Sequence, residues 1–125
     1  MVDGPIQRKS FEFAVKVIDV YRRLKEQCDF EIARQWVRCG TSIGANVGEA
    51  EAAATKRDFW AKMCIAAKEA RETRYWLRLM QASKMLDPDL GLLLAEVEEL
   101  IRLLSAIVKT TRENLDRSSP GLNEH

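Results

Sequence analysis

The distribution of proline limits the fold of this chain more than any other feature. The 125-residue sequence has prolines only at positions 5, 88 and 120. Proline removes a backbone hydrogen bond and kinks a helix interior, so the stretch between Pro5 and Pro88 is free of the strongest helix breaker. Apolar residues recur there at intervals of three and four, and no window alternates as a half-buried strand would. The chain is therefore predicted to be all-α.

Four segments show this helical periodicity, at about residues 10–27, 30–54, 56–83 and 88–115. Short connections between long helices favour antiparallel neighbours, and the alternating spacing favours nearly parallel axes. We therefore predict an antiparallel up-down-up-down four-helix bundle over residues 10–115. Residues 1–9 are expected to be a flexible N-terminus, and residues 116–125 a disordered tail.

Capping residues mark the predicted helix starts. Ser10, Asp29 and Asp87 are N-cap candidates, and a proline follows Asp87 at the first helical position. Thr55 and Asp58 form an approximate capping box before the third helix. The first helix is expected to bury the face that contains Phe11, Ala14, Val15, Ile18, Tyr21 and Leu24.

The composition excludes several classes of function. Hydrophobic residues make up 46% and charged residues 31%, as in a globular protein. No uncharged apolar run approaches the ~18–20 residues of a membrane span, and the N-terminus lacks the apolar region of a secretory signal. Three cysteines without C-x-x-C spacing argue against a disulfide framework or a zinc site. A cytoplasmic protein is expected.

Histidine is nearly absent, which removes much familiar chemistry. The only histidine is His125, the last residue. Ser-His-Asp and Cys-His catalysis, imidazole zinc sites and helical di-iron sites all need histidine within the fold. We therefore expect no catalytic residue, no metal and no cofactor.

Glycines at positions 40, 44 and 48 recur every four residues within the second helix. Each costs a helix interior about 0.5–1 kcal/mol relative to alanine. A row of small residues lets a partner backbone approach closely, and the van der Waals attraction at that close approach offsets this cost. The spacing fits neither phosphate-binding glycine motif. The row comprises Gly40, Gly44 and Gly48, and a compact polar face nearly opposite comprises Ser42, Asn46 and Glu49.

Antiparallel packing of the second and third helices is expected to bring Glu49 near Lys62 and Ser42 near Glu69. The simplest interpretation is a pair of polar contacts that fix the helix register, worth about 0.5–1.5 kcal/mol each. A carboxylate site formed by Glu49, Glu69 and Glu72 is the alternative. The lack of a histidine or a recognisable nucleophile favours the structural interpretation.

The third helix is apolar nearly all round. Opposite its core-facing residues lie Ile65, Tyr75, Trp76 and Leu79. A helix of this kind is buried on two sides. We therefore predict that these residues form an interface in a homo-oligomer. The alternative is that Tyr75 and Trp76 flank the core with their polar tips in water.

Basic residues recur on the same helix at intervals of three and four, with Trp60 nearby. Such a row with an aromatic residue is typical of a surface that follows a phosphate backbone. A solvated helix face is the alternative, and the net charge of only +1 argues against extensive polyanion binding. A ring of subunits would multiply the row. The candidate nucleic-acid-binding residues are Lys68, Arg71, Arg74 and Arg78, with Arg38 on the second helix.

The segment from Ala33 to Leu77 resembles the small four-helix-bundle proteins encoded in intervening sequences of bacterial large-subunit rRNA genes. That family includes the accessory variability determinant of diversity-generating retroelements. The resemblance spans about residues 10–115. The matching positions are Gln35, Arg38, Ser42, Ile43, Asn46, Val47, Glu49, Thr55, Asp58, Phe59, Ala66, Glu69, Glu72, Trp76 and Leu77.

The resemblance implies a homopentameric ring without enzymatic activity. It also implies association with structured RNA or, in the retroelement branch, with nucleic acid and a reverse transcriptase. The leading hypothesis is a non-catalytic homopentamer that binds nucleic acid, RNA or DNA, through the basic row. The second hypothesis is a protein–protein interaction scaffold with no nucleic-acid role.

Overall fold

The structure is a computed structural model that describes residues 4–27, 29–85 and 90–118. These residues form four helices and no β-strand, so the all-α prediction is confirmed. The helices are α1 (Pro5–Glu26), α2 (Phe30–Glu51), α3 (Lys56–Ser83) and α4 (Gly91–Ser118).

Each helix packs against the next one in the chain, and α4 also contacts α1. Within the described residues, α1 and α3 do not pack against each other. The contacts between α1 and α2 run in opposite chain order, since the Trp36 indole meets Val17 while Gly44 lies beside Ser10. The largest fully buried side chains, contributed by all four helices, are Trp36, Phe13, Leu24, Ile43, Met63, Leu77, Met80, Leu100 and Leu104.

The first helix begins five residues earlier than predicted, so residues 5–9 are helical rather than flexible. Pro5 occupies the first turn, where its missing N–H leaves no bond unmade. The helix then buries Ile6 in the core. Ser10 is not an N-cap, because it is buried within α1 and its hydroxyl donates to the Gln7 carbonyl at 3.2 Å.

The predicted core face of α1 was wrong for Phe11, Val15 and Ile18, which point outward. Ala14 and Tyr21 are half-buried. The helix carries two apolar stripes, and the one that enters the core extends over the whole helix at alternating spacings of four and three. The buried residues of α1 are Ile6, Ser10, Phe13, Val17, Val20 and Leu24.

Thr55 caps α3, as predicted. The Asp58 backbone N–H donates to the Thr55 hydroxyl at 3.0 Å. Asp29 precedes α2 but its side chain makes no capping hydrogen bond. The second helix ends at Glu51 rather than near Ala54, because the chain must turn before the Thr55 cap.

The fourth helix extends to Ser118, beyond the predicted end at residue 115. Residues 116–118 of the predicted tail are therefore helical. The remainder of that tail, and the N-cap predicted at Asp87 with its following proline, lie outside the described residues.

Candidate nucleic-acid interface

Four basic residues of α3 lie on its outward side, and we call them the basic strip: Lys68, Arg71, Arg74 and Arg78. The opposite side of α3 buries Met63, Ala66, Ala70, Leu77 and Met80, which fixes the rotation of the helix. Lys68, Arg71 and Arg78 are consequently exposed, and Arg74 is half-buried. The predicted row is therefore a continuous feature of the surface.

No member of the basic strip is paired with an acidic side chain among the described residues, and the neighbouring Glu69 and Glu72 are paired with Arg38. Across residues 4–27, 29–85 and 90–118, no ion pair involves any of its four members. Most other ion pairs of the described chain join side chains one turn apart or bridge neighbouring helices, as Lys16 and Glu96 do at 2.7 Å. The positive charge of the strip is thus available to an anionic ligand.

Tyr75 lies within the strip, with 59% of the residue exposed. Its ring meets the Trp76 ring edge-to-face, with centroids 5.3 Å apart and planes at 75°. The Trp76 indole N–H in turn donates to Glu72 Oε2 at 3.1 Å. Tyr75 and the arginines line one shallow surface depression, whose walls are Arg71, Arg74, Tyr75, Arg78, Leu79 and Ala82.

Arg38 is not a member of the basic strip and lies at the boundary between α2 and α3. Its guanidinium forms a close ion pair with Glu72 and lies 3.5 Å from Glu69 Oε2. It also donates to Gln35 Oε1 at 3.3 Å. Two carboxylates therefore balance its charge, and these contacts join α2 to α3.

The Trp60 ring does not lie with the basic strip either. The guanidinium of Arg112, on α4, lies over that ring at 5.4 Å from its centroid. This cation–π contact joins the start of α3 to the end of α4.

The polar contacts predicted between α2 and α3 differ from those observed. Glu49 and Lys62 form no ion pair in the part of the chain that the structure describes, and Glu49 is exposed. Ser42 is bonded through its own carbonyl, which accepts from Asn46 Nδ2 at 2.9 Å. Glu69 meets Arg38 instead, because the longer arginine side chain spans the gap between the helices.

The glycines of α2 have different surroundings. A Cβ atom on Gly40 would lie 2.7 Å from Val17 Cγ1, so this glycine permits the close approach of α1. A Cβ atom on Gly44 would lie 3.4 Å from the Ser10 carbonyl oxygen. A Cβ atom on Gly48 would have no neighbour within 4 Å. The predicted close approach thus occurs within the chain at Gly40 and Gly44, and Gly48 is left open.

The predicted interface residues of α3 are mostly exposed. Ile65 and Leu79 are 41% and 37% exposed, beside the more exposed Tyr75. Trp76 is half-buried. The side chains of Tyr75 and Leu79 border the same depression as the arginines, so self-association and nucleic-acid binding would compete for this part of α3.

Part of the face of α1 that was predicted to enter the core forms an exposed apolar surface instead. Phe11, Val15 and Ile18, which we call the α1 stripe, are 70%, 55% and 38% exposed. Phe11 also borders a groove between α1 and α2 that reaches Gly44 and Gly48. The sequence of α1 contains two apolar stripes at helical spacing, but only the stripe that contains Phe11, Val15 and Ile18 was interpreted.

The described cysteines, Cys39 and Cys64, are free thiols. Burial raises the pKa of Cys39 to about 11. Burial also raises the pKa of Cys64, against the opposing effect of Arg112 and Arg71. No group of three or more Cys, His, Asp or Glu side chains among the described residues is arranged to hold a metal ion.

The helices in the described ranges are too short or too polar to cross a membrane. The comparison with curated proteins found no match. Among solved structures, the chain is similar to a protein of unknown function from the S23 ribosomal protein family of Bacteroides thetaiotaomicron. The two are 40% identical, with a TM-score of 0.80, over 83% of this chain and 98% of that one. The model of the 23S rRNA-intervening sequence protein family matches residues 3–106. The chain therefore belongs to the 23S rRNA-intervening sequence protein family.

Proposed function

We propose that this protein is a non-catalytic cytoplasmic homo-oligomer that binds structured RNA through the basic strip of α3. The family description refers to 23S rRNA, which supports RNA as the class of ligand. The strip supplies the means of binding, because Lys and Arg side chains that neutralise phosphates release condensed counterions.

The main support for this proposal is that the positive charges of the basic strip are not balanced by ion pairs. Arg71, Arg74 and Arg78 follow one line along α3 and lack ion-pair partners among the described residues. An ordinary solvated helix face usually alternates charges of both signs. The net charge of the whole chain is only +1, so the positive charge of this face is much greater than the chain average.

Assembly strengthens the proposal. We propose an up-down-up-down bundle, supported by the contacts between successive helices and by the opposite chain order of the α1–α2 contacts. Copies would join head to tail, with the α1 stripe of one against Ile65 of the next, which leaves the depression beside Tyr75 open. Two different surfaces of one subunit form such heterologous contacts, which give a closed ring when the rotation between copies divides a full turn. A pentameric ring, as the family resemblance implies, would carry five basic strips.

Binding to structured RNA across a salt series tests the proposal. The triple variant Arg71→Ala, Arg74→Ala, Arg78→Ala is expected to weaken binding at least tenfold and to flatten the dependence of log K on log salt by about 2. The control variant Arg8→Ala, Arg23→Ala, Arg34→Ala loses the same charge from arginines that have acidic partners on their own helix. It is expected to retain most of the affinity. Binding that ignores salt, or equal losses in both variants, would contradict the electrostatic mechanism.

The α1 stripe favours a second candidate function, a protein–protein interaction scaffold. Its three apolar side chains are exposed in the single chain. If a different protein covers them, affinity purification after nuclease treatment will yield one stoichiometric protein partner. Replacement of the stripe by glutamines would release that partner, whereas the arginine variants would not.

A further inference from the structure

We propose that Tyr75 is a stacking platform for an unpaired base, and that the basic strip therefore selects single-stranded or looped RNA over a continuous duplex. This inference rests on the proposed function and specifies its ligand. It depends on three observations: the exposure of Tyr75, the support behind its ring, and the arginines on either side.

The Tyr75 ring is available and is held in place. More than half of Tyr75 is exposed. The residues beside it in the depression include arginines and Leu79. The edge-to-face contact with Trp76 restrains the ring, and a bond from the Trp76 indole to Glu72 restrains Trp76. Glu72 is itself paired with Arg38. A rigid aromatic side chain loses little conformational freedom when a ligand stacks on it.

The chain of contacts behind the ring gives Arg38 and Glu72 a positioning role. Arg38 holds Glu72 across the α2–α3 boundary, and Glu72 holds the indole against which Tyr75 rests. None of these three groups needs to touch the ligand. Arg38 therefore contributes to the geometry around Tyr75 without being a member of the basic strip.

Arginines flank the ring along the helix axis. Arg71 lies four residues before Tyr75 and Arg78 three residues after it, which places them about 10 Å apart along α3. The walls of the depression contain no carboxylate. An aromatic face between two unpaired guanidiniums suits a nucleotide whose base stacks on the ring while its neighbouring phosphates meet the arginines.

The accessibility of the RNA bases determines which form of RNA binds more tightly because of Tyr75. In a duplex each base is already stacked and its faces are covered, so the ring adds nothing to phosphate contacts. In loops and single strands the bases can leave the stack and settle on aromatic side chains. The preference for unpaired RNA should therefore depend on Tyr75, whereas binding to any RNA should depend on the arginines.

The test compares Tyr75→Phe, which keeps the ring, with Tyr75→Leu, which keeps apolar bulk without a ring. Each variant is titrated with a single-stranded RNA that carries one 2-aminopurine and with the same RNA annealed to its complement. We expect Tyr75→Leu to bind the single strand roughly 5- to 150-fold more weakly than the unmodified protein, with duplex binding unchanged. Tyr75→Phe should bind both forms normally. Stacking should also alter the 2-aminopurine fluorescence in the unmodified protein and in Tyr75→Phe, but not in Tyr75→Leu.

Other outcomes separate this inference from the proposed function. Equal single-strand and duplex affinities that Tyr75→Leu leaves unchanged would overturn the stacking role while RNA binding stands. No binding to either RNA would overturn both. Light scattering on the same samples completes the test, because a change of oligomer size in Tyr75→Leu would mean that a second copy covers the ring. That result would also overturn the inference.

Discussion

Gly40 lies against Val17 so closely that a Cβ atom at position 40 would come within 2.7 Å of one Val17 methyl carbon and 2.8 Å of the other. Val17 is fully buried. A β-branched side chain has few rotamers, and rotation of Val17 would replace one close methyl by the other. The contact therefore sets the distance between α1 and α2. The same interface is held by the Trp36 indole N–H, which donates to the Val17 carbonyl at 2.9 Å.

Gly40→Ala is expected to destabilise the protein despite the better helix propensity of alanine. Overpacking against Val17 should cost about 1–3 kcal/mol, whereas alanine returns only about 0.5–1 kcal/mol. Gly48→Ala is the matched control in the same helix, since a methyl group at position 48 would have nothing within 4 Å. It should stabilise by about 0.5–1 kcal/mol. Urea unfolding at one protein concentration measures both, and equal shifts would contradict the close-contact explanation.

Lys84 ends α3 in a left-handed conformation, with φ 56° and ψ 39°. Its backbone N–H bonds to the last turn of the helix, as in a glycine C-cap. A side chain in this conformation costs about 1 kcal/mol that glycine avoids, although glycine adds entropy to the unfolded chain. Lys84→Gly is therefore expected to stabilise by about 0.5–1 kcal/mol in thermal or urea unfolding.

Lys84→Ala is the control for this substitution. It removes the lysine charge and the long side chain but keeps a Cβ atom in the left-handed conformation. Its stability should stay within about 0.5 kcal/mol of the unmodified protein. If alanine stabilises as much as glycine, the effect comes from the charge and not from the backbone.

The third helix was predictable from sequence, whereas the packing of the first was not. Regular four-and-three spacing from Phe59 to Met80 and the Thr55 cap predicted α3, which the structure places at Lys56–Ser83. The first helix has two stripes of similar quality, and spacing alone does not say which of them faces the core. The choice depends on Val17 meeting Gly40 and Trp36, which are distant in sequence.

The candidate site was also only partly predictable, because some of its contacts join residues on different helices. Intervals of three and four place Arg71, Arg74 and Arg78 along one side of a helix. Sequence could not show that these residues lack acidic partners while Arg38 has two, because those partners are on another helix. It also could not show that Trp60 meets Arg112 rather than the basic strip.

Because of Cys39, the protein should become less stable as the pH rises through the alkaline range. Its pKa is about 11 in the folded chain because of burial, compared with an ordinary value of 9.0. Above pH 9 the unfolded chain releases the thiol proton while the folded chain retains it. The unfolded state therefore binds fewer protons, and the free energy of unfolding falls as pH rises. Between about pH 8 and pH 10 this thiol should account for a loss of about 1 kcal/mol.

Comparison of variants isolates this contribution from the other groups that titrate in the same range. Cys39→Ser has no thiol to ionise, so its unfolding free energy should fall less steeply over this interval of about two pH units. Cys64→Ser retains Cys39 and should keep the steeper dependence. Parallel pH profiles for Cys39→Ser and the unmodified protein, measured by urea unfolding, would contradict the role of Cys39.

The α1 stripe gives the most direct test of self-association. Phe11, Val15 and Ile18 point away from the core, so replacing all three by glutamine should leave the protein folded. Glutamine has good helix propensity, which protects α1 itself. If the stripe is a contact between copies, the triple variant should sediment as the 14.3 kDa chain at micromolar concentration, whereas the unmodified protein sediments as an oligomer.

A control on the same helix shows whether any loss of assembly is specific. Arg8→Gln with Glu12→Gln changes an exposed ion pair on α1 and leaves the stripe intact. This variant should keep the oligomeric mass. An oligomer that persists in the triple glutamine variant would place the contact elsewhere, with Ile65 and Leu79 as the remaining apolar candidates on α3. An unmodified protein that sediments as a single chain would contradict self-association altogether, because three large apolar side chains would then be stably exposed to water.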